Sequence, residues 1–111
     1  MKAARPPRCS PAFDEPGFAY HATGEKNAVS IACGGGLHAL SFFSDNPCRV
    51  GAFAHNGKAV ILRVLKKGVV FVREKHYKYA RTSIPADKVE ILGVDQKWHP
   101  IRRFYRTRCR R

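Results

Sequence analysis

The last fifteen residues of the chain combine cations with aromatic rings. From Lys97 to Arg111 the sequence has seven Lys or Arg residues and no acidic residue, and six of the seven are Arg. The planar guanidinium donates two parallel hydrogen bonds to a phosphate and also stacks on bases. This mixture favours contact with RNA over a merely solvated tail. The residues predicted to contact RNA here are Lys97, Trp98, Arg102, Arg103, Tyr105, Arg106, Arg108, Arg110 and Arg111.

A second group of this kind follows the apolar run that ends at Arg73. Between His76 and Arg81 two tyrosines alternate with cations. A loop at the open end of a small barrel is a common RNA-contacting position. An equally weighted alternative is that the tyrosine pair closes the end of the core. The predicted contacts in this stretch are Arg73, Lys75, Tyr77, Lys78 and Arg81.

The charge of the whole chain supports a polyanionic partner. The 111 residues carry 21 Lys and Arg against 8 Asp and Glu, for a net charge of +13. Up to Asn56 there are 5 basic and 4 acidic residues, and after it 16 and 4, so nearly all of the excess lies in the second half. With 44% hydrophobic residues the chain is too apolar for a disordered basic tail. We therefore expect a folded, cation-rich domain.

The residue types needed for catalysis or metal binding show no recognisable spacing. The four cysteines form no Cys-x-x-Cys pair, so a zinc ribbon is excluded. The nearest approach to a metal site is Cys33, His38 and Cys48, which we do not predict to bind a metal. In the absence of a signal peptide, four free thiols are expected. We predict no enzyme, no cofactor and no small-molecule substrate.

The elements that must position the cations are mostly short strands. Residues 1–26 are rich in Pro and Gly and predict an extended N-terminal arm, residues 27–96 a small β domain, and residues 97–111 a basic C-terminal tail. The predicted fold class is mainly β, a small antiparallel sheet curling toward an SH3-like or OB-like barrel with extended basic arms at both ends. No run is apolar and long enough for a transmembrane segment.

Several strands and turns can be placed along the domain. Asn56-Gly57 predicts a type I′ turn that leads into a strand over 58–65. Lys66-Lys67-Gly68 predicts a second hairpin, joining that strand to a strand over 69–73. Residues 74–83 are expected to be a polar, aromatic loop. Further strands are predicted over 27–33, 37–43, 48–54 and 87–94.

Residues 38–68 resemble a known family. His38-Ala-Leu-Ser41, Arg49-Val50-Gly51, Asn56-Gly57-Lys58 and Arg63-Val64-x-Lys66-Lys67-Gly68 are similar to the C-terminal half of the bacterial-type and organellar large-subunit ribosomal protein L twenty-four family. The family's N-terminal Gly-Lys-Asp-Lys-Gly-like loop has no counterpart here. The resemblance implies binding to ribosomal RNA, with contacts at Arg49, Lys58, Arg63, Lys66 and Lys67.

The first functional hypothesis is a structural ribosomal protein in a mitochondrial large subunit, whose partners are rRNA and neighbouring ribosomal proteins. Its mechanism is the neutralisation of phosphates by Lys and Arg, with stacking where bases are unpaired. An alternative is an accessory subunit of an organellar membrane complex, whose basic face meets acidic neighbours or anionic lipid. A small viral or bacterial nucleic-acid-binding protein is a further alternative. The Arg bias and the interleaved rings favour RNA.

Overall fold

An apolar run interrupted only by Arg63 becomes an interior strand of the larger of two sheets. The β-branched run at β3 (Ala59–Leu65) confirms the strand predicted there. It pairs antiparallel with β1 (Phe18–Gly24) on one side and with β6 (Val89–Leu92) on the other, and β7 (Trp98–Pro100) completes the order β1-β3-β6-β7. The computed structural model describes residues 2–3, 17–45, 59–75 and 77–109.

The smaller sheet has three short strands in the order β2-β5-β4. They are β2 (Phe42–Phe43), β4 (Phe71–Arg73) and β5 (Lys78–Ala80), all antiparallel. Tyr20 and Ser44 exchange two backbone hydrogen bonds, of 2.8 and 2.9 Å, and so connect the two sheets. The fold is therefore mainly β, as predicted, and the described strands form two small sheets rather than a closed barrel.

Short helical segments cover the sheets. Helix α1 (Glu25–Ser30) continues into a π-helical segment (Ile31–Gly35), so the strand predicted over 27–33 is wrong. The physical reason is the spacing of Ala28, Ile31 and Ala32, which are all buried and share one helical face. The other helical segments are α2 (Ile101–Phe104) and two 3₁₀ turns, Ala86–Lys88 and Arg106–Cys109.

Strand β3 is buried on both faces of its sheet. Leu62 and Val64 point into the main core, which Phe43 enters from the smaller sheet and Ile101 from α2. On the opposite face Ile61 packs in a smaller cluster. Burial on both faces explains why β3 reads as a nearly continuous apolar run instead of an alternating one.

Both predicted arms contain parts of the fold. Strand β1 lies within the predicted N-terminal arm, where Ala19 and Tyr20 are fully buried. Strand β7, α2 and the last 3₁₀ turn lie within residues 97–111, so the interpretation of that stretch as a tail does not fit residues 98–109. In both arms, pairing with distant strands and burial of apolar side chains determine the structure, although the composition is rich in Pro or Arg.

The predicted pairing of neighbouring strands is also corrected. Residues 66–68 do form a turn, with the Val69 N–H donating to the Lys66 carbonyl at 3.1 Å, but β3 and β4 belong to different sheets. The predicted loop over 74–83 contains β5, the partner of β4. The strand predicted over 37–43 is limited to β2, whereas the one over 87–94 is confirmed by β6. The predicted strand over 48–54 and the Asn56-Gly57 turn lie outside the described residues.

Candidate nucleic-acid interface

The basic C-terminal segment is held on the core by two buried side chains. Ile101 and Tyr105, four residues apart on one helical face, are buried. Arg102, Arg103 and Arg106 lie between and beyond them and are exposed. Helical geometry thus separates an apolar anchor from an outward-facing set of guanidinium groups.

A disulfide fixes the end of this segment. Cys109 is bonded to Cys33 of the π-helical segment, with a Cα–Cα distance of 5.2 Å. The expectation of four free thiols is therefore wrong for these two residues. The two cysteines are 76 residues apart, and only the fold brings them together. The exposed arginines are presented on a covalently anchored surface.

Most of these cations have no carboxylate nearby. Arg108 donates to Glu25 at 2.8 Å. In the described part of the chain, no Asp or Glu side chain lies within 4.0 Å of the other four exposed cations of this segment, which are Lys97, Arg102, Arg103 and Arg106. Their positive charge is available to an external anion.

Arg63, in contrast, is an internal residue. Its Nε donates to Glu90 at 2.9 Å, and Arg63 and Glu90 are directly opposite each other on β3 and β6. The guanidinium carbon lies 3.8 Å from the centre of the Phe18 ring and 4.4 Å from that of Trp98. Arg63 is buried and Trp98 is half-buried, so both have a structural role in the smaller core cluster.

Three of the predicted contact residues form ion pairs with the carboxylate of Asp45. It lies 2.8 Å from Lys66 Nζ and 3.7 Å from an Arg73 nitrogen, and it also accepts a hydrogen bond from Lys78. Burial alone would raise the pKa of Asp45, but the hydrogen bonds and charges of Lys66 and Lys78 hold that pKa below its ordinary value. Lys78 is buried and serves this ion pair, whereas Arg73 remains largely exposed.

Tyr105 is also structural. Its ring is buried, and in the described structure its hydroxyl oxygen has no hydrogen-bond partner. Burial, together with the nearby negative charge of Glu25, raises the pKa of Tyr105 to about 12. The ring therefore anchors the C-terminal segment and is not accessible to a base.

The β4–β5 hairpin exposes a second set of predicted contact residues. Lys75, Tyr77 and Arg81 are exposed on it, and Lys67 is exposed in the turn that precedes it. The Tyr77 ring makes an edge contact with Phe42, at 4.8 Å between ring centres. Phe42 lies within the strand predicted over 37–43 and was not among the predicted contact residues. Successive side chains of a strand point to opposite faces, so this alternation could have predicted that one of the two neighbouring rings faces outward.

Four predicted contact residues lie outside the described residues. They are Arg49, Lys58, Arg110 and Arg111.

Of the histidines that the structure describes, His99 is paired with a carboxylate. His99 Nε2–H donates to the two oxygens of Asp95, at 3.0 and 2.9 Å, and this hydrogen bond holds the pKa of Asp95 below its ordinary value. The pair belongs to the turn between β6 and β7, where Lys97 N–H also donates to Asp95. Residues 2–3, 17–45, 59–75 and 77–109 contain no group of three His, Cys, Asp or Glu side chains that could hold a metal ion.

Within the same ranges, no helix has the length and apolarity required to cross a membrane. Comparisons of the chain with protein-family models, with curated proteins and with solved structures find no match.

Proposed function

We propose that this chain is a non-catalytic RNA-binding protein that contacts RNA phosphates through its fixed, cation-rich C-terminal segment. The observation that carries the proposal is the exposure of Arg102, Arg103 and Arg106 without carboxylate partners in the described structure, on a segment anchored by Ile101 and by the Cys33–Cys109 disulfide. Because the backbone that carries these arginines is already fixed, binding to phosphate costs the entropy of their side chains but not that of ordering the segment.

The sequence resemblance directs this proposal to ribosomal RNA. In that setting the chain is a structural component of a mitochondrial large subunit, and its neighbours are rRNA and other ribosomal proteins. Of the positions implied by the resemblance, Lys67 is exposed and Lys66 is paired with Asp45, whereas Arg63 is internal. The support from the C-terminal segment is independent of the resemblance.

The disulfide favours a second candidate. Protein disulfides persist in oxidising compartments and are rare where glutathione keeps thiols reduced. An accessory subunit of an organellar membrane complex that faces an oxidising compartment would carry such a bond, and its basic face would meet anionic lipid or acidic neighbours.

One experiment separates the two candidates. The full, oxidised chain is titrated against a structured RNA and against vesicles of phosphatidylcholine and cardiolipin, each over a range of salt concentrations. RNA binding that weakens steeply with salt, because counterions are released from phosphates, supports the first candidate. Binding to vesicles without binding to RNA, or RNA binding that is insensitive to salt, would overturn it. Truncation at Lys97 is unsuitable because it removes β7 and Cys109.

A further inference from the structure

The smaller sheet has one face in the core and one face toward solvent. Phe42, Tyr79 and Val72 are directly opposite one another on β2, β5 and β4, so their side chains share one face. On the other face Phe43 and Lys78 are buried. We call the first of these faces the aromatic face; it consists of Phe42, Val72, Tyr77 and Tyr79.

The rings of the aromatic face are accessible. Phe42 is 57% exposed and Tyr77 is 38% exposed, and Tyr79 is half-buried. Tyr77 and Tyr79 are two residues apart and therefore point to the same side, about 6.6 Å from each other along the strand. The contact of Phe42 with Tyr77, at an interplanar angle of 68°, brings rings of two different segments together.

The backbone beneath these rings is held from several directions. His21 Nδ1–H on β1 donates to the Phe42 carbonyl at 2.6 Å. On the β5 side, Leu40 N–H donates to the Ala80 carbonyl at 2.7 Å, and Glu74 N–H donates to the Tyr77 carbonyl at 2.8 Å. The rings are thus presented on a preformed surface, which reduces the entropy lost on binding.

Two cations, Arg81 and Lys75, lie at the edge of the aromatic face. Arg81 N–H donates to the Val70 carbonyl at 3.0 Å, which extends the β4–β5 pairing and places Arg81 on the same side as Tyr79. Lys75 is exposed at the turn of the hairpin, whereas Arg73 is directly opposite Lys78 and therefore lies on the other face. Glu74, next to the turn, is the acidic residue of this hairpin. A protein partner that covered these rings would have to neutralise the cations as well.

We propose that the aromatic face binds single-stranded RNA, with unpaired bases stacked on Phe42, Tyr77 and Tyr79 and with phosphates neutralised by Arg81 and Lys75. This inference rests on the proposed RNA-binding function and specifies its substrate class. Exposed rings in a cationic setting are the arrangement that stacks successive bases without reading their sequence. Paired bases keep their faces inside the duplex, so a duplex can use the cations but not the rings.

The test compares a labelled oligouridine with an RNA duplex of the same length, by fluorescence anisotropy with the full oxidised chain. Phe42→Leu and Tyr79→Leu remove a ring but keep an apolar side chain. Phe42→Trp replaces one aromatic ring with another. Val94→Ala is the matched control, because Val94 is 56% exposed in the turn that leads to β7. Thermal unfolding checks that each variant is folded.

The proposal predicts that each Leu variant binds the oligouridine about five- to a hundredfold more weakly, as expected for the loss of one stacked base. The Leu variants should bind the duplex with close to wild-type affinity. The Phe42→Trp variant and the Val94→Ala control should bind both RNAs with close to wild-type affinity. Unchanged oligouridine binding by both Leu variants, or an equal loss on the duplex, would overturn this inference and leave the proposed function standing. No binding to either RNA would overturn both.

Sedimentation of the wild-type chain tests whether a second copy of the chain covers the aromatic face. If the wild type forms a dimer that Phe42→Leu converts to a monomer, the aromatic face is an interface between copies, and the RNA assignment is overturned. The proposal predicts a monomer for both proteins.

Discussion

The sulfur atoms of Cys33 and Cys109 join the helical segment after β1 to the last 3₁₀ turn of the basic C-terminal segment. The bond closes most of the chain into one loop, since the two residues are 76 positions apart. It turns what the composition suggested was a tail into part of the folded surface.

Loss of this bond should destabilise the fold. In the chain-entropy model, a loop of this length stabilises the native state by about 4.5 kcal/mol. Cys33→Ala, Cys109→Ala and the double variant should all lower the free energy of unfolding by a similar amount, measured with urea under non-reducing conditions. The double variant is the control, because both substitutions remove the same bond. Additive losses would contradict the assignment.

Acidification should lower the stability of the fold through His21. Burial lowers the pKa of His21 below its ordinary value of 6.5, although the hydrogen bond to the Phe42 carbonyl acts in the opposite direction. The unfolded chain therefore binds a proton at a higher pH than the folded chain does, and stability should fall as the pH drops below 6.5. The unfolding midpoint of wild type and His21→Gln, measured between neutral and mildly acidic pH, checks this. An equally steep decline in His21→Gln would contradict it.

Substitution of Arg63 should lower the free energy of unfolding and should not remove a contact with RNA. Arg63→Lys loses the planar group that lies against Phe18 and Trp98, and Arg63→Ala leaves Glu90 without its partner, a change that costs about 3 kcal/mol or more. Arg103→Lys, at an exposed position, should stay within about 0.5 kcal/mol of wild type in the same urea titration. If Arg63→Lys is as stable as wild type and Arg63→Ala binds RNA with a weaker salt dependence, because a phosphate-neutralising charge is lost, the internal assignment is wrong.

A glycine next to the Leu37–Ile84 bridge allows the backbone to approach closely. Gly36 has a φ of +64°, and a Cβ there would lie 2.5 Å from the Ile84 carbonyl oxygen. Gly36→Ala should therefore lower the free energy of unfolding by about 1–3 kcal/mol from backbone strain alone. Gly24, with a φ of −68° and open space around its Cα, provides the control substitution Gly24→Ala. Equal stability of the two variants would contradict the observed backbone conformation.

Local patterns were sufficient for some elements and not for others. The β-branched run of β3 and the short apolar run of β6 predicted strands because burial and propensity agree there. Which strands pair could not be predicted, since β3 lies between β1 and β6 and the adjacent β4 joins the other sheet. Helix α1 contains a β-branched residue, Val29, which favours a strand. The buried positions of the segment nevertheless have helical spacing, and the segment is a helix.

The candidate site shows the same limits. Cation-rich segments were recognisable from composition, and Arg102, Arg103 and Arg106 are indeed exposed. The internal roles of Arg63 and Lys78 depend on Glu90 and Asp45, which are 27 and 33 residues away in the chain. A carboxylate at that distance leaves no local signal in the sequence.

The proposed function depends on contact between the exposed C-terminal arginines and RNA phosphates. The most direct test measures the salt dependence of RNA affinity for the wild type and for the triple variant Arg102→Gln/Arg103→Gln/Arg106→Gln. A matched control, Lys2→Gln/Lys26→Gln/Lys88→Gln, removes the same charge from exposed positions outside this segment. The slope of log affinity against log salt should fall by about two to three units in the Arg variant, and by clearly less in the control. Equal slopes for the two variants would contradict it.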